Sequence, residues 1–169
     1  MDAIECILTR RSGREFTEED IDEKAISEIL KAGMYAPSAG DQRPWHFIVI
    51  RNRKTLEAVT SFHPHAGMLK KAPAAIAVLA DEASQKHKGY WTQDCSAATQ
   101  NMLLAAHALG LGGVWLGIYP REERVKGLSE LLGLPGNVVP LALLAFGHPA
   151  VKPRQPDRWD IARVRREKW

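Results

Sequence analysis

Asp94-Cys95-Ser96-Ala97-Ala98-Thr99-Gln100-Asn101-Met102-Leu103-Leu104-Ala105-Ala106-His107-Ala108-Leu109 runs without a break into Gly110-Leu111-Gly112-Gly113-Val114-Trp115-Leu116-Gly117. The first part has helical length, and Ala97, Ala98, Met102, Leu103, Leu104, Ala105, Ala106, Ala108 and Leu109 leave it almost no polar face. A helix that is apolar nearly all round is buried on every side. In a short chain that requires a sheet plus other helices, or a partner subunit. The glycine-rich turn then opens a strand, so it is not a dinucleotide-binding fingerprint, which must follow a strand and open a helix. Gly110 suits the C-cap of the helix, and Gly117 a position where a ligand approaches the backbone closely.

The segments on either side supply the sheet and its cover. His46 to Ile50, Ala74 to Ala80, Val114 to Ile118 and Val138 to Phe146 are apolar runs of strand length. Asp2 to Arg11 forms a short amphipathic helix with Ile4, Ile7 and Leu8 on one side. Thr17 or Asp22 caps a second helix, striped by Ala25, Ile26, Ile29 and Leu30 and stopping before Pro37. Arg121 to Leu132 makes a last helix, ended by Gly133 and Pro135. Helices interleaved with strands give an α/β or α+β sheet with helical cover. No repeat and no linker divides the chain, so residues 1–169 are expected to form one domain.

Composition narrows the class. The 169 residues are 45% hydrophobic and 25% charged, which describes a globular chain. Such a chain buries roughly 70% of its unfolded surface on folding. Thirteen Gly and ten Pro are dispersed, which excludes a collagen-like or low-complexity chain. No apolar run approaches the roughly 20 residues of a membrane span. The start, Met1-Asp2-Ala3-Ile4-Glu5-Cys6, has no leader pattern, and two cysteines, Cys6 and Cys95, make no disulfide framework; a cytoplasmic chain with reduced thiols is expected. The formal charge is +3, but Lys152 to Trp169 carries seven basic residues against three acidic ones, leaving the rest of the chain slightly acidic. A basic tail on a near-neutral body argues against a nucleic-acid-binding domain.

Three constellations carry chemistry. Arg10-Arg11-Ser12-Gly13-Arg14 is an anion cradle suited to a phosphate monoester, or a set of helix-terminal cations on a solvated surface. The loop Ala36 to Trp45 presents Ser38, Asp41, Gln42 and Trp45 on a backbone held by Pro37, Gly40 and Pro44; it lines a pocket or is a tight surface turn. Gly147-His148-Pro149 with Lys152, Arg154 and Arg158 returns basic groups toward the cradle, or is a frayed terminus. His63-Pro64-His65 has no second ligand pair at a metal-site spacing, and there is no G-x-S-x-G elbow and no P-loop. No metal and no side-chain acid or base is assigned.

Taken in order, Arg10-Arg11-Ser12-x-Arg14-x-Phe16, Ala36-Pro37-Ser38-Ala39-x-x-Gln42-x-Pro44-Trp45, the helix from Asp94 to Ala106, Leu109-Gly110-Leu111-Gly112-x-x-Trp115 and Gly147-His148-Pro149 resemble the nitroreductase family of FMN-dependent NAD(P)H oxidoreductases. The match is collinear from about Ile7 to about Arg158, and the chain looks like a short, minimal member. The resemblance implies a mixed sheet flanked by helices and an intertwined homodimer with two FMN sites at its interface. It gives the FMN phosphate and ribityl chain to Arg10, Arg11, Ser12 and Arg14, with Arg158 and Arg154 closing from the C-terminal segment. Pro37, Ser38, Ala39 and Gln42 of the other subunit would cover part of the isoalloxazine. Trp115, Leu116 and Gly117 would run along its other face, with the Gly117 N–H near flavin N5. NADH or NADPH would deliver hydride, and a flat, electron-poor acceptor such as a nitroaromatic or quinone would follow in the same place, giving ping-pong kinetics.

Two departures stand out. The family usually has Asn where this chain has Asp41, and a carboxylate at a flavin edge disfavours the electron-rich reduced ring, whereas an Asp41 in solvent is neutral in effect. The stretch around His63 to Lys70 does not match the family's flavin contacts. Two other functions compete: a flavin-binding store or sensor without turnover, and a nucleic-acid- or phosphoprotein-binding domain using Arg10 to Arg14 and the basic tail, which would bind polyanions in a salt-dependent way.

Overall fold

The computed structural model describes residues 1–169. Its elements follow in the order α1 (Ala3–Thr9), α2 (Glu23–Met34), β1 (Trp45–Ile50), α3 (Arg53–Ala58), β2 (Ala74–Asp81), α4 (Trp91–Ala108), β3 (Gly112–Gly117), α5 (Glu122–Leu132) and β4 (Val138–Gly147), with short 3-10 turns between them. The two unbroken apolar runs become the central strands. The sheet order is β1-β2-β4-β3, and β2 and β4 are buried on both faces, which is why neither alternates. All three strand pairings are antiparallel. The mixture of directions that the resemblance implies is confined to one parallel bridge, Ser12 to Gly113. The β2–β4 register shifts between Val78 and Leu79, next to Pro140. An irregularity there accommodates a residue that cannot donate to the ladder.

Helices cover both faces, as the α/β reading expects. On one face Ile76, Val78, Leu144 and Phe146 pack against Ile26 and Ile29 of α2 and Cys95, Ala98 and Met102 of α4. On the other, Ala77, Leu79, Leu143 and Ala145 pack against Leu56 of α3, Leu128 of α5 and the connecting Val59 and Leu69. Asp22, rather than Thr17, caps α2, accepting from Ala25 N at 2.6 Å. The apolar pattern does not mark α3, although Asn52 caps it by accepting from Thr55 N at 3.1 Å.

The α4 helix begins at Trp91, earlier than its apolar run, and ends as the glycine predicts. Gly110 takes the left-handed φ of +80°, while its N–H donates to His107 O and the Leu111 N–H to Ala106 O, closing the last turn. Burial on every side is not what the chain alone provides. Trp91, Cys95, Ala98, Met102, Leu103 and Ala106 are buried, but Leu104 and Ala105 are half-buried and Ala108 is exposed. The open side lies along a groove of about 360 Å³ shared with Cys6, Ile7 and Tyr35. No helix is long and apolar enough to cross a membrane.

Candidate active site

The first cluster forms where α1 ends. Arg10 and Arg11 meet Arg158 across a cleft of about 690 Å³, bounded by the end of α1 and by Gln155 to Trp159. Burial, then Arg158, then Arg11 depress the Arg10 guanidinium below its ordinary value. Arg11 is braced by donating from Nη1 to Leu8 O and Arg10 O, each at 2.7 Å, and from Nη2 to Pro156 O at 3.4 Å. The Nε atoms of Arg10 and Arg11 are buried without a partner. Three crowded cations with unspent donors favour an anion of more than one charge. Ser12 and Arg14 are exposed and lie outside the cleft lining, as does Arg154.

Two of the sequence motifs turn out to be one structure. Phe16 is buried, with Thr17 N donating to His148 O and Ala150 N to Glu15 O, each at 2.9 Å. A Cβ on Gly147 would come within 2.7 Å of the Phe16 ring, and one on Gly112 within 3.3 Å. The ring therefore rests on the facing pair Gly112 and Gly147, where β3 begins and β4 ends. This seat fixes the segment that follows the arginines to the sheet.

The second region is the end of β3. Leu116 is buried, while Trp115 and Gly117 are half-buried. A Cβ built on Gly117 would meet no atom within 4 Å. The Gly117 carbonyl is held from behind by two donors, Arg124 Nη1 at 2.8 Å and His63 Nε2 at 3.2 Å. Since the His63 Nδ1 accepts the His65 N–H at 3.2 Å, the proton sits on Nε2. Burial, followed by the Arg124 charge, holds this imidazole below the usual histidine range. His63 thus shapes the β3 end, and His65 is exposed. No group of three or more His, Cys, Asp or Glu side chains is arranged to hold a metal ion.

The third region is the loop after α2. Pro37 is exposed and Ser38 and Ala39 are half-buried, with a 3-10 turn at Ala39–Asp41. Gln42 turns inward: its Nε2 donates to Asp94 Oδ2 at 2.6 Å and its Oε1 accepts from His87 N at 2.9 Å. Asp41 is exposed and pairs with Arg43, whose hydrogen bond lowers its pKa. None of the loop's residues lines the arginine cleft.

A sequence model of the nitroreductase family matches residues 7–66 and 60–148. The chain belongs to the nitroreductase family. Over its whole length it is 49% identical to a protein of Methanothermobacter thermautotrophicus, of which it covers 88%, provisionally named NADH dehydrogenase/NAD(P)H nitroreductase. A solved structure from Parabacteroides distasonis with the same provisional name superposes with a TM-score of 0.95 at 36% identity, each chain covering 98% of the other. A provisionally named nitroreductase of Desulfovibrio desulfuricans, solved in complex with FMN, superposes with a TM-score of 0.86 at 31% identity, covering 100% of this chain and 99% of that one.

Sequence reasoning singled out the arginines, the β3 end and the loop, of which the structure brings Arg10, Arg11 and Arg158 together in one cleft, whose lining includes neither the β3 end nor the loop. That reasoning missed Asp94, Arg124 and the inward role of His63. Asp94 carried one signal, a carboxylate in the first turn of an otherwise apolar helix. Arg124 carried none, because its bond to Gly117 depends on how α5 returns to the sheet.

Proposed function

We propose that this chain is an FMN-dependent oxidoreductase that moves reducing equivalents from NADH or NADPH to a flat, electron-poor acceptor, a nitroaromatic or a quinone. The observation that carries the reading is the cleft of Arg10, Arg11 and Arg158 with its buried, unpartnered guanidinium nitrogens. Those donors suit a phosphate monoester, and the open space over Gly117 suits the edge of a flat ring. Arg10, Arg11 and Arg158 would hold the phosphate, with Ser12, Arg14 and Arg154 completing its surroundings. Trp115, Leu116 and Gly117 would lie along the ring, and Pro37, Ser38 and Ala39 of the other subunit would cover it, with Gln42 fixing that cover. FMN, when bound, supplies two-electron transfer between donor and acceptor.

The chain's own part is to bind, orient and exclude water. No side-chain acid or base is assigned, so protons would come from solvent or from flavin N–H groups. Donor and acceptor share one open face in turn, which gives ping-pong kinetics. We also propose that the 169 residues form one domain, that two copies build the site as an intertwined homodimer, and that the enzyme works in the cytoplasm with Cys6 and Cys95 as thiols. Burial, then Asp94, pushes the Cys95 thiol up to about 12, so it is no nucleophile.

The deciding experiment is a visible spectrum of the purified protein, recorded oxidised and then after anaerobic mixing with NADH or NADPH. A flavin spectrum that bleaches within seconds supports the proposal. A flavin that stays oxidised makes the chain a store or sensor, and a colourless protein that cannot be reconstituted with FMN overturns the reading.

A further inference from the structure

The fold buries four polar side chains, Gln42, His63, Asp94 and Thr99. Two of them face each other. Asp94, in the first turn of α4, accepts Ala39 N–H on Oδ1 at 2.9 Å and Gln42 Nε2 on Oδ2 at 2.6 Å. Gln42 passes the link on, accepting the His87 N–H at 2.9 Å and donating to His87 O at 3.3 Å. The turn after α2 and the start of α4 therefore meet on one carboxylate, and the Gln42 amide ties the segment before α4 to it.

The turn is strained despite its own bonds, in which Asp41 N donates to Ser38 O and Gln42 N to Ala39 O, each at 3.1 Å, and Arg43 N to Ser38 Oγ at 3.0 Å. Gly40, Asp41 and Arg43 have φ of +53°, +53° and +46°. Two of these carry a Cβ, at a cost of roughly 1–2 kcal/mol each, so the Asp94 and Gln42 bonds to the surroundings help to offset that strain. The His87 ring closes over Gly40, where a Cβ would lie 2.2 Å from its Nε2. A carboxylate is the group this junction needs, because both of its oxygens face donors. An amide would turn an N–H toward one of them. The N-terminal end of α4 offsets the buried charge.

We propose that Asp94 is the positioning residue of the Pro37–Gln42 loop, fixing from inside the fold the backbone that covers the cofactor. This inference rests on the FMN reading above. It predicts a polarity-swap rescue. D94N points an N–H at the Gln42 N–H, and Q42E sets two carboxylates against each other. The double variant D94N/Q42E reverses the one bond between them: the α4 side chain now donates, and the loop carboxylate accepts it while still accepting the His87 N–H, giving up only the 3.3 Å donation to His87 O.

The test measures FMN affinity by quenching of flavin fluorescence, and hydrogen exchange of the 37–43 amides in the cofactor-free protein. Each single variant should lose about tenfold or more in affinity and exchange faster, since a hydrogen bond to a charged group is at stake. The double variant should recover both readouts. A folded D94N that binds FMN as the wild type does, or a double variant no better than the worse single one, would overturn the proposal. A role in stability alone would lower the melting temperature and leave affinity unchanged. If D94N does not fold, Gln42→Met cuts the same link from the loop side and is read in the same two ways. A wild type that takes up no FMN defeats the functional reading, while the exchange arm still decides whether Asp94 holds the loop.

Discussion

Arg11 is the residue at which binding and stability separate most cleanly. Its guanidinium is braced by backbone carbonyls, its Nε is unspent, and no carboxylate pairs with it. Arg11→Ala should therefore weaken FMN binding by about ten- to a hundredfold, the scale of a charge-assisted hydrogen bond, while the cofactor-free protein stays folded despite losing the bonds to Leu8 O, Arg10 O and Pro156 O. Titration with FMN checks it, and unchanged affinity refutes it. The histidines predict a pH dependence. Burial holds His63 below its ordinary value, and burial with Arg10 and Arg11 does the same to His107, whose Nε2 lies 2.8 Å from Thr9 Oγ1. A depressed folded value means that the unfolded chain binds the proton first as pH falls. The stability these groups contribute is therefore complete above about pH 6.5 and is lost as pH drops through their folded values. Melting temperatures recorded between about pH 7.5 and pH 5 should fall, and His63→Gln, which keeps a donor for Gly117 O, should flatten the slope. Equal slopes would assign the loss to other groups. Cations close together in the chain, such as Arg10 and Arg11, were legible in the sequence. The Gln42–Asp94 bond spans a separation of 52 residues and could not be read from local pattern.

Among the elements, β3 carries the sharpest expectation. Its end at Gly117 has open space in front and two donors on its carbonyl behind. Gly117 is absent from the residues with left-handed φ, so a β-branched side chain suits the strand conformation there. Gly117→Val should leave the cofactor-free fold and its melting temperature intact while lowering FMN affinity by about tenfold or more, the cost of overpacking a contact. Equilibrium dialysis with FMN, alongside a thermal melt, separates the two effects; a stable variant with full affinity would remove the ring from this strand. The strands were legible because β2 and β4 are buried on both faces and so appear as unbroken apolar runs. Helix ends were legible where a residue forces them, as Gly110 and Gly133 do with φ of +80° and +63°. The α3 helix escaped because its six residues bury only Leu56 and show no period. Why glycine stands at 112 and 147 was not legible either, since the reason is the Phe16 ring, which reaches them only after the sheet has formed.

At the scale of the molecule, the alternation of helix and strand gave the layers, and the apolar circumference of α4 pointed to cover from more than one side. The structure leaves that cover incomplete. The α1 helix has seven residues, buries only Cys6, and exposes Ile4, Ile7 and Leu8 at 66%, 53% and 65%. Tyr35 is 88% exposed beside the groove over Leu104 and Ala108, and Trp159, Ile161 and Val164 are exposed along the tail. A helix this short is marginal in water without packing, and contiguous apolar surface of this kind marks an interface. The proposed second copy would supply the complement, and would also account for the separation of the Pro37–Gln42 loop from the arginine cleft within one chain. The protein should therefore sediment at twice its chain mass. Ile4→Asp with Ile161→Asp changes two exposed residues, neither of which lines the arginine cleft, so it should cost a lone subunit only about 0.5 kcal/mol per site. In the dimer the same changes bury unpaired carboxylates, and the variant should sediment as a folded monomer that has lost FMN. A wild type that sediments as a monomer yet retains FMN would show that one chain completes the site alone.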